Sequence, residues 1–350
     1  MNMTKNNVLD KIKGSLVGGG AGDALGYEVE FISANSIFAE YGPEGIQDYE
    51  LYMGEARISD DTQMTLFTAE GLKLWDEYGR KFTPQHYIWL AYKDWYHMQR
   101  GHLKPIEKYT WLWKVPEMSA SRAPGNACMN SLSKREGGSV DEPINNSKGC
   151  GGVMRVAPVG AFFNRHPEAE DKIEEVNRVA AEAAALTHGH PFGYLPAAAL
   201  ANLVNRLIFG GCIYGDGLED IVRESMDCLV QFFGDETAYA QKMADLMGKA
   251  LILAHNDRTD LENLKDLGEG WVGEEALIVA IYCAVKYQND FSKALRVSVN
   301  HSGDSDSTGA IMGNILGAMI GYENIPDKWK KNLECHDVIC KVAERIFDCE

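Results

Sequence analysis

Two runs of glycine at four-residue spacing constrain this fold more than any other feature of the sequence. Residues four apart lie on one face of an α-helix, so each run would give its helix a face without side chains. A glycine inside a helix costs ~0.5–1 kcal/mol relative to alanine, and two bare faces let two helix axes approach closer than the usual ~8–10 Å. We therefore predict that the two helices pack together at the centre of the protein. The glycines are Gly14, Gly18, Gly22 and Gly26 near the start of the chain and Gly309, Gly313, Gly317 and Gly321 near its end.

Apolar residues recur at three- and four-residue spacing along nearly the whole chain, a pattern typical of amphipathic helices. Alternating patterns with β-branched residues are rare; only 153–159 could form a strand, and Pro158 weakens that interpretation. Strands do not alternate with helices, so a parallel-sheet fold is excluded. We predict an all-α fold of about a dozen helices. The clearest segments are 8–16, 64–75, 173–186, 200–208 and 276–283.

The charge balance excludes several classes of function. The chain has 34 Lys and Arg against 51 Asp and Glu, and its net charge of −17 disfavours binding to nucleic acid or to an anionic membrane. Residues 1–10 are polar and unlike a leader, and the apolar stretch 16–27 is interrupted by Asp23 and too short to span a bilayer. The eight cysteines have no metal-site spacing, and we expect them to be reduced and mostly buried. We therefore expect a cytoplasmic protein.

Residues 119–152 are rich in Gly, Ser, Asn and Pro and are predicted to be mostly loop. A short helix is expected within 126–134, with Asn126 better suited to capping it than to lining a site. Long irregular segments in compact domains are usually functional or disordered, so we place this loop on the surface near the site. No linker or change in composition divides the chain, which indicates a single domain over residues 1–350.

An acidic motif, residues 59–62 (SDDT), stands directly before the helical segment that begins at Met64. One interpretation is a helix cap, in which Asp60 accepts hydrogen bonds from the first turn and Gln63 completes a capping box. A cap needs a single side-chain oxygen, however, and here four consecutive residues carry one. The motif could therefore also supply oxygen ligands to a cation.

A second acidic motif, residues 303–309 (GDSDSTG), also precedes a helix. Its start resembles a calcium loop, but Ile315 occupies the position that needs a glutamate, so an EF-hand is excluded. Together the motifs supply four carboxylates and several hydroxyls, a donor set that suits Mg²⁺ or Mn²⁺ rather than zinc. Like charges at ~4 Å cost ~4 kcal/mol even at an effective dielectric constant of about 20, so converging carboxylates indicate a pair of cations. The packed glycine helices would also bring Asp23 and Glu30 to this motif.

Several well-known motifs are missing from the sequence: the dinucleotide fingerprint, the P-loop, the nucleophile elbow and the H-E-x-x-H zinc motif. Residues 187–190 (THGH) could give two histidines to a metal, although capping or packing is more typical of such a pair at a helix end. Residues 149–152 (GCGG) could hold phosphate oxygens on backbone N–H groups, or could simply form a tight turn.

Six elements of the chain occur in the order typical of the ADP-ribosylglycohydrolase family, which the sequence resembles over residues 10–322. Each motif is weak alone, but six in the correct order are highly specific. The resemblance implies an orthogonal helical bundle with a binuclear Mg²⁺ or Mn²⁺ centre that cleaves ADP-ribose from an acceptor, often a protein side chain. The elements are 22–26 (GDALG) with Glu30, 59–62 (SDDT), 149–158 (GCGGVMRVAP), 186–188 (LTH), 270–276 (GWVGEEA) and 303–310 (GDSDSTGA).

The resemblance also implies roles for individual residues. The two cations would hold the ribose hydroxyls and activate a water, Asp61 or Asp306 would take its proton, and Glu30 stands where some members have a catalytic or gating glutamate. Arg155 could contact the diphosphate or form a structural salt bridge. The implied metal ligands are Ser59, Asp60, Asp61, Asp304, Asp306 and Ser307. The implied contacts to ADP-ribose are Gly149, Cys150, Gly151, Gly152, Met154, Arg155 and His188.

Serine at positions 59 and 307, where many members have threonine, and the Gly-Cys-Gly-Gly loop make the chain more similar to arginine-directed members. We therefore expect a monomeric hydrolase that acts on ADP-ribosyl-arginine in proteins. Two alternatives stay open: an immunity-type protein that neutralises an ADP-ribosyltransferase by docking onto it, and a hydrolase for another acceptor, such as serine, a nucleic-acid end or a metabolite. The intact acidic motifs favour catalysis, because a protein that only docks does not need four converging carboxylates.

Overall fold

The described part of the chain consists of α-helices joined by turns and loops. The computed structural model describes residues 5–101, 108–164, 172–234 and 237–348, and within these residues the only extended pairings are isolated bridges. The predicted all-α class is confirmed, with more helices than the dozen expected. The helices are α1 (Lys5–Gly26), α2 (Ala34–Tyr41), α3 (Asp60–Glu77), α4 (Pro84–Gln99), α5 (Asn126–Leu132), α6 (Ala157–Phe162), α7 (Ile173–Ala185), α8 (Pro191–Phe209), α9 (Leu218–Phe232), α10 (Thr237–Ala254), α11 (Asp260–Leu267), α12 (Gly273–Lys286), α13 (Phe291–Val299), α14 (Ser305–Ile320), α15 (Asp327–Lys330) and α16 (His336–Phe347), with short 3-10 turns at Leu112–Lys114, Pro116–Ser119, Cys150–Gly152 and Tyr322–Asn324.

The two glycine-rich helices, α1 and α14, pack antiparallel against each other. A methyl group on Gly22 would overlap the carbonyl of Gly309, so only glycine permits this approach. The Ser15 hydroxyl donates to the Asn314 carbonyl at 3.0 Å, and the Asn314 amide donates to the Ser15 carbonyl at 2.9 Å. The predicted packing of the two helices is confirmed. Gly321 differs from the other seven glycines, because it ends α14 with a φ of 81° instead of lying inside the helix.

The remaining helices surround this central pair. Helices α3 and α16 pack beside α1, and α8 and α12 pack beside α14. Buried apolar side chains form a continuous core from Val8 in α1 to Ile346 in α16. Among the described residues, only α8 is long and apolar enough to cross a membrane, but 89% of its apolar window is buried inside the protein. Core helices of globular proteins commonly have this composition.

Some local expectations differ from the structure. Residues 153–159 form no strand, because they pass from a 3-10 turn into α6, with Pro158 in the first turn of that helix. The short helix expected within 126–134 is confirmed as α5. Of the seven described cysteines, three are buried and four are half-buried, so fewer cysteines are buried than we expected. Cys349 lies outside the described residues.

Candidate active site

The two acidic motifs meet because each begins a helix at the same end of the central pair. Helix α14 begins after Asp304, whose carboxylate accepts a hydrogen bond from the Ser307 N–H at 3.2 Å. Helix α3 begins after Ser59, whose hydroxyl accepts a hydrogen bond from the Asp61 N–H at 3.2 Å. The first turns of both helices therefore present their acidic side chains to one place.

The capping interpretation of Asp60 and Gln63 is wrong. Ser59 caps α3, which leaves the Asp60 carboxylate at the site, where it accepts from the Gly125 N–H at 3.3 Å. The Gln63 side chain turns away: it donates to the Ala120 carbonyl at 3.0 Å and accepts from the Trp95 indole N–H at 2.9 Å. The hydrogen bonds from Gln63 to Ala120 and from Gly125 to Asp60 hold this part of the predicted loop against the start of α3, at the edge of the site.

Asp23 ties the central pair to the start of α3. Its fully buried carboxylate accepts hydrogen bonds from the backbone N–H groups of Ser59 and Thr62, each at 3.0 Å. Burial, followed by the nearby charge of Asp306, raises the pKa of Asp23 to about 7. The expected proximity of Asp23 to the second motif is therefore present, and Asp23 acts as a positioning residue behind the site.

The acidic motifs, the glycine loop and residues 123–128 enclose one cavity of about 570 Å³. Three of the predicted site residues, Ser59, Gly152 and Arg155, do not line it. A second cavity, of about 150 Å³ beside α11 and α13, contains none of the predicted residues. The residues that line the large cavity are Glu30, Phe31, Asp60, Asp61, Ala123, Pro124, Gly125, Asn126, Ala127, Cys128, Gly149, Cys150, Gly151, Met154, His188, Trp271, Asp304, Asp306 and Ser307.

The carboxylates of the cavity repel one another strongly. Burial and the charge of Asp306 raise the pKa values of Asp60 and Asp61 well above the usual range for aspartate. Burial, together with Asp306 and Asp304, raises the pKa of Glu30 to about 10. Without a compensating positive charge, several of these groups would hold a proton at neutral pH.

Two observations test whether divalent cations fit this site. Oδ2 of Asp61 and Oε2 of Glu30 are buried without any hydrogen-bond partner, although unpaired carboxylate oxygens are costly in a protein interior. All the charged side chains that line the cavity are carboxylates, and these together with the Ser307 hydroxyl are the hard oxygen donors that Mg²⁺ and Mn²⁺ prefer. The donor chemistry therefore fits. Among the described residues, however, no three acidic, His or Cys side chains already surround a single point, so coordination requires some side chains to rotate.

The glycine loop forms one wall of the cavity. Residues 149–152 are fixed against the segment before α12, where the Cys150 N–H donates to the Trp271 carbonyl at 3.2 Å. A side chain on Gly151 would meet the imidazole of His188 at 3.0 Å, whereas one on Gly152 would overlap the backbone of Gly193 in α8. The absence of a side chain at Gly151 therefore leaves space in the cavity beside His188, whereas glycine at position 152 permits close packing of the loop against α8. The Cys150 thiol donates to the Asp304 carboxylate at 2.8 Å.

The two histidines of residues 187–190 have different roles. His188 lines the cavity, and burial with the nearby charge of Arg155 lowers its pKa to about 3, so its imidazole is neutral. Its Nδ1 lies 2.8 Å from the Thr187 hydroxyl. His190 instead caps α8 by accepting from the Phe192 N–H at 3.0 Å. The structure thus does not support a metal site made by the two histidines.

The prediction that Arg155 contacts the ligand is corrected by the structure. Its side chain is fully buried behind the cavity, where it donates to the Thr187 hydroxyl at 2.7 Å and to the Ala183 carbonyl at 3.1 Å. Its guanidinium also lies 4.5 Å from the ring centre of Tyr92. These partners are neutral, so the alternative of a structural salt bridge is not met either. The 3-10 turn points the adjacent Met154 into the cavity and Arg155 to the opposite side.

Several lining residues were missed by the sequence interpretation. Phe31 and Trp271 stack at the cavity, with ring centres 5.3 Å apart and planes inclined by 20°, and Phe31 is 70% exposed. Neither residue belongs to a periodic pattern, although Trp271 lies within one of the six motifs. Asn126 also lines the cavity, while Gly125 occupies the cap position that Asn126 was expected to hold.

Comparison with known proteins agrees with these motifs. The model of the ADP-ribosylglycohydrolase family matches residues 4–350. The chain is 23% identical to the ADP-ribosyl-(dinitrogen reductase) glycohydrolase of Rhodospirillum rubrum, over 95% of this chain and 93% of that protein. It is 24% identical to the ADP-ribosylarginine hydrolase Tri1 of Serratia proteamaculans, over 97% of this chain and 79% of that protein. The match to the ADP-ribosylhydrolase ARH3 of Bos taurus, 26% identical, covers 57% of this chain and only 58% of the length of that relative.

A solved structure, described as an ADP-ribosylglycohydrolase-related protein complex, shares the fold. It superimposes with a TM-score of 0.58 over 98% of both chains, at 20% sequence identity. Because the family model extends over nearly the whole sequence, and its characteristic segments surround one cavity, the chain belongs to the ADP-ribosylglycohydrolase family.

Proposed function

We propose that this protein is a hydrolase that removes ADP-ribose from modified arginine side chains of proteins, with the help of two divalent cations. The observation that carries the proposal is the convergence of two acidic helix starts on one cavity, where carboxylate oxygens of Asp61 and Glu30 are buried without a protein partner. The cavity volume of about 570 Å³ falls within the ~300–1,000 Å³ typical of small-molecule sites. Among the relatives, Tri1 is named for ADP-ribosylarginine, which supports arginine as the acceptor.

The cations would be Mg²⁺ or Mn²⁺, held by Asp60, Asp61, Asp304, Asp306 and Ser307. Ser59, the remaining predicted ligand, lies behind the cavity and supports the others by capping α3. When bound, the metals would orient the ribose hydroxyls and lower the pKa of a water molecule. They would also offset the burial and mutual repulsion that raise the pKa values of the carboxylates.

The protein's own side chains perform the remaining chemistry. Asp61 and Asp306 are the candidates to accept the proton of the attacking water, because both line the cavity and are carboxylates. Glu30, which lines the cavity next to the exposed Phe31, can hydrogen-bond to the ribose or hold a proton. Positive charge that develops on the ribose as the glycosidic bond breaks is stabilised by the surrounding carboxylates. The imidazole of His188 is neutral, so it can hydrogen-bond to the substrate without repelling the positive charge that develops on the ribose.

The test is release of ADP-ribose from an arginine-modified protein in the presence of Mg²⁺ or Mn²⁺, and then with EDTA. The Asp60→Asn and Asp304→Asn variants should each lose about 100-fold or more in rate, because even outer-shell partners of a metal are commonly worth ~10–100-fold. The matched control is Asp76→Asn, at the other end of α3, where the largely buried carboxylate pairs with the exposed Arg80 and contributes nothing to the lining of the cavity. This control should keep the wild-type rate.

Other results would distinguish the alternatives. Release that persists in EDTA and in both variants would contradict the metal-dependent proposal. Release from serine-linked but not from arginine-linked substrate would change the acceptor. Neutralisation of an ADP-ribosyltransferase that survives both substitutions would favour docking over catalysis, because the acidic side chains would then be dispensable.

A further inference from the structure

Three large apolar side chains project into solvent from one tight turn, residues 51–54 (LYMG), which we call the apolar turn. Leu51 is 47% exposed, Tyr52 56% and Met53 90%. Exposure of consecutive large apolar side chains is unfavourable in water unless another surface covers them. The apolar turn is therefore a candidate for contact with another molecule.

The backbone holds this turn in a defined shape. Tyr52 and Glu55 exchange two backbone hydrogen bonds, at 2.8 and 3.1 Å. The φ values are positive at both central residues, 55° at Met53 and 95° at Gly54. Asn, Asp or Gly usually occupy such positions, because other side chains are strained there. Methionine is thus displayed at the tip despite a local conformational cost, and it is too exposed to recover that cost by packing within the protein.

Side-chain contacts link the apolar turn to the segment 27–31, which ends at the cavity. The Tyr52 ring lies 5.0 Å from the Arg57 guanidinium, which is also 5.6 Å from the Tyr27 ring and hydrogen-bonds to Glu28 at 2.9 Å. Two residues after Glu28, the chain reaches 30–31, which line the cavity. One side of the turn is therefore connected to the cavity edge through a short series of side-chain contacts.

The other side of the turn leads directly into the acidic motif at the start of α3. Ala56 pairs its backbone with the 332–334 segment: its N–H donates to the Asn332 carbonyl at 2.8 Å, and its carbonyl accepts from the Glu334 N–H at 3.0 Å. The Ile58 N–H donates to the Glu334 carboxylate at 3.0 Å. The base of the turn is thus fixed only a few residues before the cavity carboxylates.

We propose that the apolar turn is a docking surface for the folded protein that carries the ADP-ribosylated side chain. The inference rests on the proposed function, because a modified side chain can enter the cavity only if the protein surface around it approaches the opening. The exposed carboxylates of Glu50 and Glu55 border the turn. The partner surface that fits is an apolar patch bordered by basic side chains. A free ADP-ribosylated amino acid lacks such a surface and would not contact the turn.

The experiment compares two substrates in steady-state assays with the full-length protein: an arginine-modified folded protein and free ADP-ribosyl-arginine. Met53→Asn keeps a residue suited to positive φ, and Leu51→Ser leaves the turn backbone unchanged. Each variant should raise KM for the protein substrate about tenfold with unchanged kcat, since truncation of a well-packed interface side chain commonly costs that factor. Neither should change the kinetics of free ADP-ribosyl-arginine. The matched control is Ile252→Ser on α10, where a 73% exposed side chain lies on a helix that contributes nothing to the cavity.

The substrate comparison separates this inference from the proposed function. Equal losses on both substrates, no loss on the protein substrate, or the same loss in Ile252→Ser would each overturn the docking role while leaving the hydrolase intact. If the wild-type protein releases ADP-ribose from neither substrate, the proposed function fails, and the docking role fails with it. Matching far-ultraviolet circular dichroism and melting curves would show that the exposed substitutions leave the fold unchanged.

Discussion

Replacing Gly22 with alanine should destabilise the protein by about 3 kcal/mol, although alanine is the better helix former by ~1 kcal/mol. The new methyl group would overlap the Gly309 carbonyl and meet the Ala310 nitrogen at 2.8 Å. These are backbone atoms, which cannot rotate away, so α1 and α14 must separate. Overpacking of this kind costs ~1–3 kcal/mol, and separation also weakens the two buried hydrogen bonds between Ser15 and Asn314, each worth ~1 kcal/mol.

The matched control is Gly20→Ala in the same helix. There the methyl group would meet only side-chain ends: Cδ1 of Ile339 at 3.0 Å, Cδ2 of Leu333 at 3.6 Å and Cγ2 of Thr62 at 3.8 Å. Because such side chains can move by a few tenths of an ångström, the gain in helix propensity should survive. We expect a change between zero and ~1 kcal/mol of added stability.

Urea unfolding followed by circular dichroism measures both variants against the wild type. The expected result is a clearly lower midpoint for Gly22→Ala, with a similar slope, and an unchanged or higher midpoint for Gly20→Ala. Equal stability of the two variants would refute the argument, because it would mean that the glycine face is not needed for the close approach of the helices.

Two further predictions concern buried polar groups. Asp94, whose carboxylate accepts from the Tyr109 and Thr110 N–H groups at 2.9 and 2.7 Å, has its pKa raised by burial from 3.8 to about 6, so the folded state holds the proton more tightly than the unfolded chain. The contribution of this group to the unfolding free energy is full below about pH 4 and falls by about 3 kcal/mol as the pH rises through about 6. Asp94→Asn keeps an oxygen that accepts the hydrogen bonds, and it should remove this pH dependence when unfolding is measured across the same range. An unchanged pH profile in the variant would contradict the prediction. Arg155→Lys should lower the unfolding free energy by about 2 kcal/mol, because an ammonium cannot reproduce the planar set of hydrogen bonds to Ala183 and Thr187. The same variant should leave KM for ADP-ribosyl substrates within about twofold. A raised KM at unchanged stability would show that Arg155 does reach the ligand.

The sequence was sufficient to predict the helical class and the two acidic motifs because both depend on spacing along the chain. The glycine runs at both chain ends also predicted a long-range contact, since a bare helix face is costly unless another backbone covers it. From that contact followed the proximity of Asp23 and Glu30 to the second motif. These features required no knowledge of loop conformation.

Features that depend on side-chain direction outside regular helices could not be predicted. Arg155 follows Met154 directly, and only the 3-10 turn before them decides that one faces the cavity and the other does not. Asp60 and Ser59 are both good capping residues, so sequence alone could not show which one leaves its carboxylate for the site. The stacked pair of Phe31 and Trp271 joins positions 240 residues apart with no pattern that links them.

The packing of the central helices and the chemistry of the cavity depend on each other. Helices α3 and α14 both direct their N-terminal ends toward the acidic cluster, and the partial positive charge of a helix N-terminus favours nearby carboxylates by ~0.3–1 kcal/mol each. That gain is smaller than the repulsion among four buried carboxylates, so the helix ends can hold the cluster only with protons or cations present. Asp23, which lies on α1, accepts hydrogen bonds from two backbone N–H groups at the start of α3 and so holds that start against the helix that packs on α14. A glycine face on α1 is what allows this carboxylate to lie beside α14, so the costly glycines serve the site as well as the core.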